Sequence, residues 1–114
     1  MEDKRFLMLM CNFLNNTRGC IDKESVIWLV CFLAPSLDYD DVKSKISDED
    51  VKLLSDEIEC DNKENFYTRV IDLTIRIKRV ILENTLYEIK KHISYNHYVM
   101  IKELIDKEIE SIEV

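Results

Sequence analysis

Glycine and proline are almost missing from this sequence, each occurring once in 114 residues. Proteins made of β-sheet use both residues in their many tight turns, so their scarcity argues against an all-β fold and favours long helices. Long apolar runs are also missing. The two longest, residues 6–11 and 26–34, fall far short of the roughly 20 apolar residues that cross a bilayer. The sequence predicts no membrane span.

The start of the sequence predicts no secretory signal, and no Cys-X-X-Cys motif occurs. The residues before the first apolar run have mixed charge, whereas a secretory signal begins with positive charge and continues into a longer apolar stretch. Reduced thiols packed as small apolar side chains are the favoured interpretation of the cysteines, and two disulfides are the alternative. The four are Cys11, Cys20, Cys31 and Cys60. We therefore expect a reducing compartment, the cytoplasm.

Positive charge is in deficit, with 16 Lys and Arg against 23 Asp and Glu and a net charge of −7. Proteins that bind nucleic acid usually carry a basic face, because phosphate neutralisation dominates their affinity. The charge balance therefore makes nucleic acid the less favoured partner. With 46% hydrophobic and 34% charged residues, the composition is that of one globular domain, here residues 1–114.

Apolar residues recur at helical spacing along most of the chain, which predicts an all-α fold. We predict a compact bundle of five to six helices around a long central helix at about residues 63–93. The other helices are predicted at about 3–15, 22–34, 36–46 and 47–59, and from about 98 onward. Expected helix caps are Ser36, Asn96 and a capping box formed by Ser47 and Asp50.

Two apolar stripes run along the predicted central helix, which implies that neighbours cover it on at least two sides. The first stripe contains Phe66, Val70, Leu73, Ile77, Val80 and Tyr87. The second contains Ile71, Ile75, Leu82, Leu86, Ile89 and Ile93.

Catalytic and metal-binding patterns are not found. His92 and His97 lie near a predicted helix break, but the spacing of the cysteines does not join them in a zinc site. Residues 38–41 resemble the start of a calcium loop, yet Lys43 replaces the glycine required at its sixth position. Phosphate cradles and oxyanion turns also rely on glycine. We expect a non-enzymatic protein without catalytic residues, metal or cofactor.

Basic residues form a strip on the central helix, at Arg69, Arg76 and Arg79, with Lys78 nearby. A helix that tracks phosphates has this appearance. Because two apolar stripes leave little polar surface, the favoured interpretation is a solvated strip that pairs with acids of the preceding helix.

The surplus of apolar helix surface is the most informative feature for function. A small domain buries only about two-thirds of its unfolded surface, so this surplus predicts an open binding face or self-association into a homo-oligomer. Phe6, Met10, Trp28 and Phe32 are the candidate partner-binding residues, because aromatic residues and Met dominate binding hot spots. For each of them, a plain core role is the alternative.

The predicted helical bundle around a largely apolar central helix resembles, in architecture alone, the small Bcl-2-like proteins that poxviruses direct against host signalling. The Asn-Trp-Gly-Arg signature of the cellular members is absent, since Trp28 is followed by Leu29. The hypothesis is an adaptor or inhibitor that binds another protein, in its particular form a viral modulator of host signalling or cell death. The alternative is a nucleic-acid-binding transcriptional regulator that dimerises through the long helix.

Overall fold

The computed structural model describes residues 21–59 and 63–111, and this part of the chain is helical without strands. Its five helices are α1 (Lys23–Leu33), α2 (Tyr39–Lys45), α3 (Asp48–Glu59), α4 (Lys63–Lys90) and α5 (Tyr95–Glu110). The prediction of an all-α bundle with a long central helix is confirmed, and α4 ends three residues before the predicted position 93. The helix predicted over residues 3–15 lies outside the described residues.

Two of the helix starts follow directly from the sequence. The Asp22 carboxylate accepts a hydrogen bond from the Ser25 N–H at 2.8 Å, and this bond, the largest influence, lowers the pKa of Asp22. At α3 the predicted capping box is confirmed. The Ser47 N–H donates to the Asp50 carboxylate at 3.0 Å, and the Asp50 N–H donates to the Ser47 hydroxyl at 3.1 Å.

The other two predicted caps are wrong. Asp38, and not Ser36, precedes α2 as its N-cap residue, because the Ser36 hydroxyl donates instead to Glu108 at 3.2 Å. Helix α5 starts at Tyr95, where the Ser94 hydroxyl accepts a hydrogen bond from the His97 N–H, so Asn96 lies inside the helix. Serine and asparagine cap helices equally well, so the local sequence does not choose between Ser94 and Asn96.

Helices α1, α2 and α3 pack around the first half of α4. The first apolar stripe is buried there from Phe66 to Ile77. From α1 to α3 come ten buried residues that contact one another and this stripe: Val26, Ile27, Leu29, Val30, Leu33, Ala34, Leu37, Val42, Ile46 and Leu54. This cluster is the hydrophobic core of the domain.

The second half of α4 is covered on one side only. Helix α5 runs back along it, with Leu86 and Ile109 buried outside the main core. The first stripe emerges into solvent beyond Ile77, so Val80 and Tyr87, which is 63% exposed, are not covered. The expectation that both stripes are buried is therefore wrong for this end of the helix, because α1, α2 and α3 pack against the other end.

Candidate protein-binding surface

Two of the three arginines of the basic strip of α4 pair with α3, as the sequence predicts. Arg69 Nε lies 2.8 Å from Glu57 Oε1, and an Arg76 guanidinium nitrogen lies 2.7 Å from Asp50 Oδ2. Both arginine side chains remain about half exposed, so the strip is solvated. The two carboxylates of α3 already balance the charge of these arginines.

A cleft of about 190 Å³ lies between α3 and α4, and two arginines of the basic strip line it. Apolar side chains and the two ion pairs form its walls, which comprise Asp50, Leu53, Leu54, Arg69, Asp72, Leu73 and Arg76. Pockets for small molecules commonly measure about 300–1,000 Å³. The cleft is smaller than that, and its arginines are already engaged, so we do not assign it a ligand.

Asp50 connects the capping box to the basic strip. Burial is the largest influence on the pKa of Asp50 and raises it, but the Arg76 guanidinium and the Ser47 N–H and hydroxyl together outweigh burial. The pKa of Asp50 therefore lies below its ordinary value of 3.8. Because the folded state favours the charged carboxylate, Asp50 stabilises the fold above that value, and this stabilisation is lost as the pH falls through the lower folded-state pKa.

Replacing this carboxylate should therefore weaken the fold in a pH-dependent way. We expect Asp50→Asn to lower the free energy of unfolding at pH 7 by about 1 kcal/mol, through the lost ion pair and the weakened cap. The difference from the wild type should shrink as the pH falls below 3.8. Urea unfolding of both proteins between pH 7 and pH 2.5 measures it, and a difference independent of pH would contradict the assignment.

Lys78 does not belong to the solvated strip, which corrects the prediction. Its side chain is 2% exposed and faces α5, where its Nζ lies 3.0 Å from Glu108 Oε1 and donates to the Ser111 carbonyl. The hydrogen bond from Lys78 is the largest influence on the pKa of Glu108 and lowers it, helped by the Ser36 hydroxyl and opposed by burial. This group of polar contacts joins α5 to α4 and to the turn after α1.

The two histidines are exposed and lie on either side of the start of α5. No three His, Cys, Asp or Glu side chains come together as metal ligands anywhere in residues 21–59 and 63–111. We assign no chemistry to His92 or His97.

The outer side of α1 carries an exposed aromatic surface. Trp28 is 58% exposed and Phe32 is 51% exposed, although Val26, Ile27 and Val30 of the same helix are buried. The Trp28 ring lies 5.5 Å from the ring of Tyr39, measured between centroids and tilted by 53°. We call Trp28, Phe32 and Tyr39 the aromatic surface. The other two candidate residues, Phe6 and Met10, lie outside the described residues.

A free thiol and a carboxylate border the aromatic surface. Cys31 is half-buried on α1, and burial, more than the nearby charge of Asp38, raises the pKa of its thiol. A raised thiol pKa disfavours the nucleophilic thiolate, so Cys31 is a packing residue. Asp38 directly precedes Tyr39, whose ring contacts Trp28, so this carboxylate lies next to the aromatic surface.

A second group of exposed apolar residues lies towards the other end of the bundle, and the sequence did not single it out. Its members are the larger apolar side chains that α4 and α5 leave uncovered: Val80, Tyr87, Tyr95, Met100 and Leu104. In the sequence they have the same helical spacing as core residues. Only the position of α5 on α4 separates them from the core.

Comparison with protein-family models, curated proteins and solved structures finds no match. The architectural resemblance to Bcl-2-like proteins therefore stays a prediction. None of the helices described by the structure is long and apolar enough to cross a membrane.

Proposed function

We propose that this protein is a non-enzymatic protein-binding module, an adaptor or inhibitor, and that it binds its partner through the aromatic surface. One observation carries the proposal: Trp28 and Phe32 are each more than half exposed and lie one turn apart on a helix whose other side is core. Tryptophan is among the residues most enriched in binding hot spots, where its large apolar area is removed from water on association.

The aromatic surface is also held rigidly, which lowers the entropic cost of binding. The Asp22 cap fixes the start of α1, and four residues of the helix are buried to 2% exposure or less: Val26, Ile27, Val30 and Leu33. The contact between Trp28 and Tyr39 orients the indole before a partner arrives. A side chain that is already oriented loses little freedom on binding.

The particular form of the proposal, a viral modulator of host signalling or cell death in the cytoplasm, rests on the architectural resemblance alone. Homo-oligomerisation is a further part of it, motivated by the uncovered apolar residues of α4 and α5. Nucleic-acid binding is the weaker candidate, because Arg69 and Arg76 already bond carboxylates of α3.

Affinity capture from cell extract tests the binding surface. We expect the double variant Trp28→Ala/Phe32→Ala to capture at least about tenfold less partner than the wild-type chain, since hot-spot truncations cost about 2 kcal/mol or more each. Leu53→Ala is the control, because it removes an apolar side chain that is 42% exposed on α3 and belongs neither to the aromatic surface nor to the uncovered group of α4 and α5. It should retain the partner fully.

The comparison needs folded variants, which circular dichroism and thermal unfolding establish. Equal loss in the double variant and in Leu53→Ala would show that the capture depends on non-specific apolar contacts. Full retention by a folded double variant would remove the aromatic surface from the proposal.

A further inference from the structure

We propose that the partner's contact segment is a basic amphipathic helix, which lays its apolar side on the aromatic surface and its Lys or Arg residues against the surrounding acids. This inference rests on the proposed function and adds the chemistry of the partner. The carboxylates around the aromatic surface carry it.

Acidic residues outnumber basic ones in the two helices that carry the aromatic surface and in the turn between them. Residues 21–45 contain five acids and three bases, Lys23, Lys43 and Lys45. Four of the acids, Glu24, Asp38, Asp40 and Asp41, have exposed side chains. Across the described parts of the chain, none of these four takes part in a salt bridge. Their charge is therefore available to a partner.

Three acids elsewhere on the bundle differ from these four, because their charge is already taken up by bases. Where acids face the arginines of α4, at Glu57 and Asp50, they are already bonded. Glu108 is likewise occupied, by Lys78. Unlike these three bonded acids, the four exposed acids near the aromatic surface leave their negative charge beside exposed apolar area.

The positions of the acids match a helix as the ligand. Glu24, Trp28 and Phe32 are spaced four residues apart and form one row along α1, about 12 Å long. Asp38 directly precedes Tyr39, whose ring lies 5.5 Å from the Trp28 ring of this row. A helix with apolar residues at every third or fourth position packs along such a row, and its flanking bases then meet Glu24 and Asp38. An acidic ligand would meet repulsion at the same places.

Two synthetic helical peptides of 18 residues test the preference for charge. Both carry leucine at the same amphipathic positions, and the remaining positions are lysine in one peptide and glutamate in the other. Trp28 is the only tryptophan of the chain, so its emission reports binding at the aromatic surface directly. We expect the lysine peptide to shift the emission to shorter wavelength, with an affinity that falls as salt is added. The glutamate peptide should cause no shift.

Charge reversal locates the attraction. The double variant Glu24→Lys/Asp38→Lys should lower the affinity for the lysine peptide about tenfold, since two favourable contacts become repulsive. The matched control Glu83→Lys/Asp106→Lys changes the net charge equally at two exposed acids of α4 and α5. It should bind the peptide as the wild type does. Equal weakening in both variants would show that only the net charge of −7 attracts the peptide, which overturns the inference.

The remaining outcomes are equally decisive. Equal affinity for both peptides, or no binding of the lysine peptide, overturns the inference, while the proposed function stands if capture still depends on Trp28 and Phe32. Trp28 emission that shifts with protein concentration alone would assign the surface to a second copy of the chain. If Trp28 emits as a buried indole at every protein concentration without peptide, the chain's own residues 1–20 are the occupant of the aromatic surface. Either result also overturns the basic-helix partner.

Discussion

Phe66→Ala will lower the free energy of unfolding by about 4 kcal/mol, whereas Phe32→Ala will change it by less than about 1 kcal/mol. The two substitutions remove the same atoms. Phe66 is 2% exposed and lies in the core between α4 and its neighbours, so its loss leaves a cavity. Phe32 is 51% exposed, so its removal opens no enclosed space, and alanine favours the helix.

Urea unfolding followed by circular dichroism measures both values. Phe66→Leu serves as the control for an unfolded Phe66→Ala protein, because a smaller change in volume should cost only about 1.5 kcal/mol. Similar losses for Phe66→Ala and Phe32→Ala would mean that Phe32 is a core residue. The aromatic surface would then lose one of its three members.

Lys78→Ala will lower the free energy of unfolding by about 3 kcal/mol. Most of this loss should come from packing, because the substitution empties the space that the lysine stem fills between α4 and α5, whereas Glu108, whose side chain is 46% exposed, is solvated when the bond to it is lost. The ammonium group also lies at the C-terminal end of α5, where a positive charge favours the helix.

Lys78→Met separates packing from charge. Methionine fills most of the same space, and Glu108, whose side chain is 46% exposed, can be solvated without its partner. We therefore expect Lys78→Met to lose less than about 1 kcal/mol, because apolar replacements of buried ion pairs are often close to neutral. Equal losses in the two variants would assign the whole effect to the charge, and the packing contribution would be absent.

Features that depend on neighbouring residues in the chain were predictable. The capping box of Ser47 and Asp50 needs only two side chains three residues apart, and it forms as expected. The pairing of Arg69 and Arg76 with α3 also followed, because acids of one helix face bases of the next across a short connection. The single long helix α4 followed from its uninterrupted apolar stripes.

Features that depend on distant residues were not predictable. The sequence predicts Ser36 as a helix cap, but its hydroxyl donates a hydrogen bond to Glu108, 72 positions later in the chain. The sequence predicts Lys78 at the surface, yet α5 packs over it and buries it. Val80 continues a core stripe in the sequence, and it is uncovered because α1, α2 and α3 pack nearer the start of α4.

The candidate site was predictable only in part. Helix α1 is apolar nearly all round, so periodicity does not tell whether Trp28 faces the core or solvent. The structure settles the exposure of Trp28 and Phe32 and brings Tyr39 and Asp38 to their side. The sequence after Pro35 predicts a solvated helix start with several acids, and only the contact between Trp28 and Tyr39 shows that this helix start lies beside α1.

The length of α4 has a consequence for how a single chain behaves in solution. Its 28 residues extend about 42 Å, and they set the longest of the molecule's dimensions, 51 × 28 × 18 Å. An elongated particle diffuses more slowly than a sphere of equal mass, so a monomer of 13.6 kDa will elute early from a gel-filtration column. Early elution is thus the expected behaviour of one chain, and a second copy is shown only by methods that weigh the particle, such as light scattering.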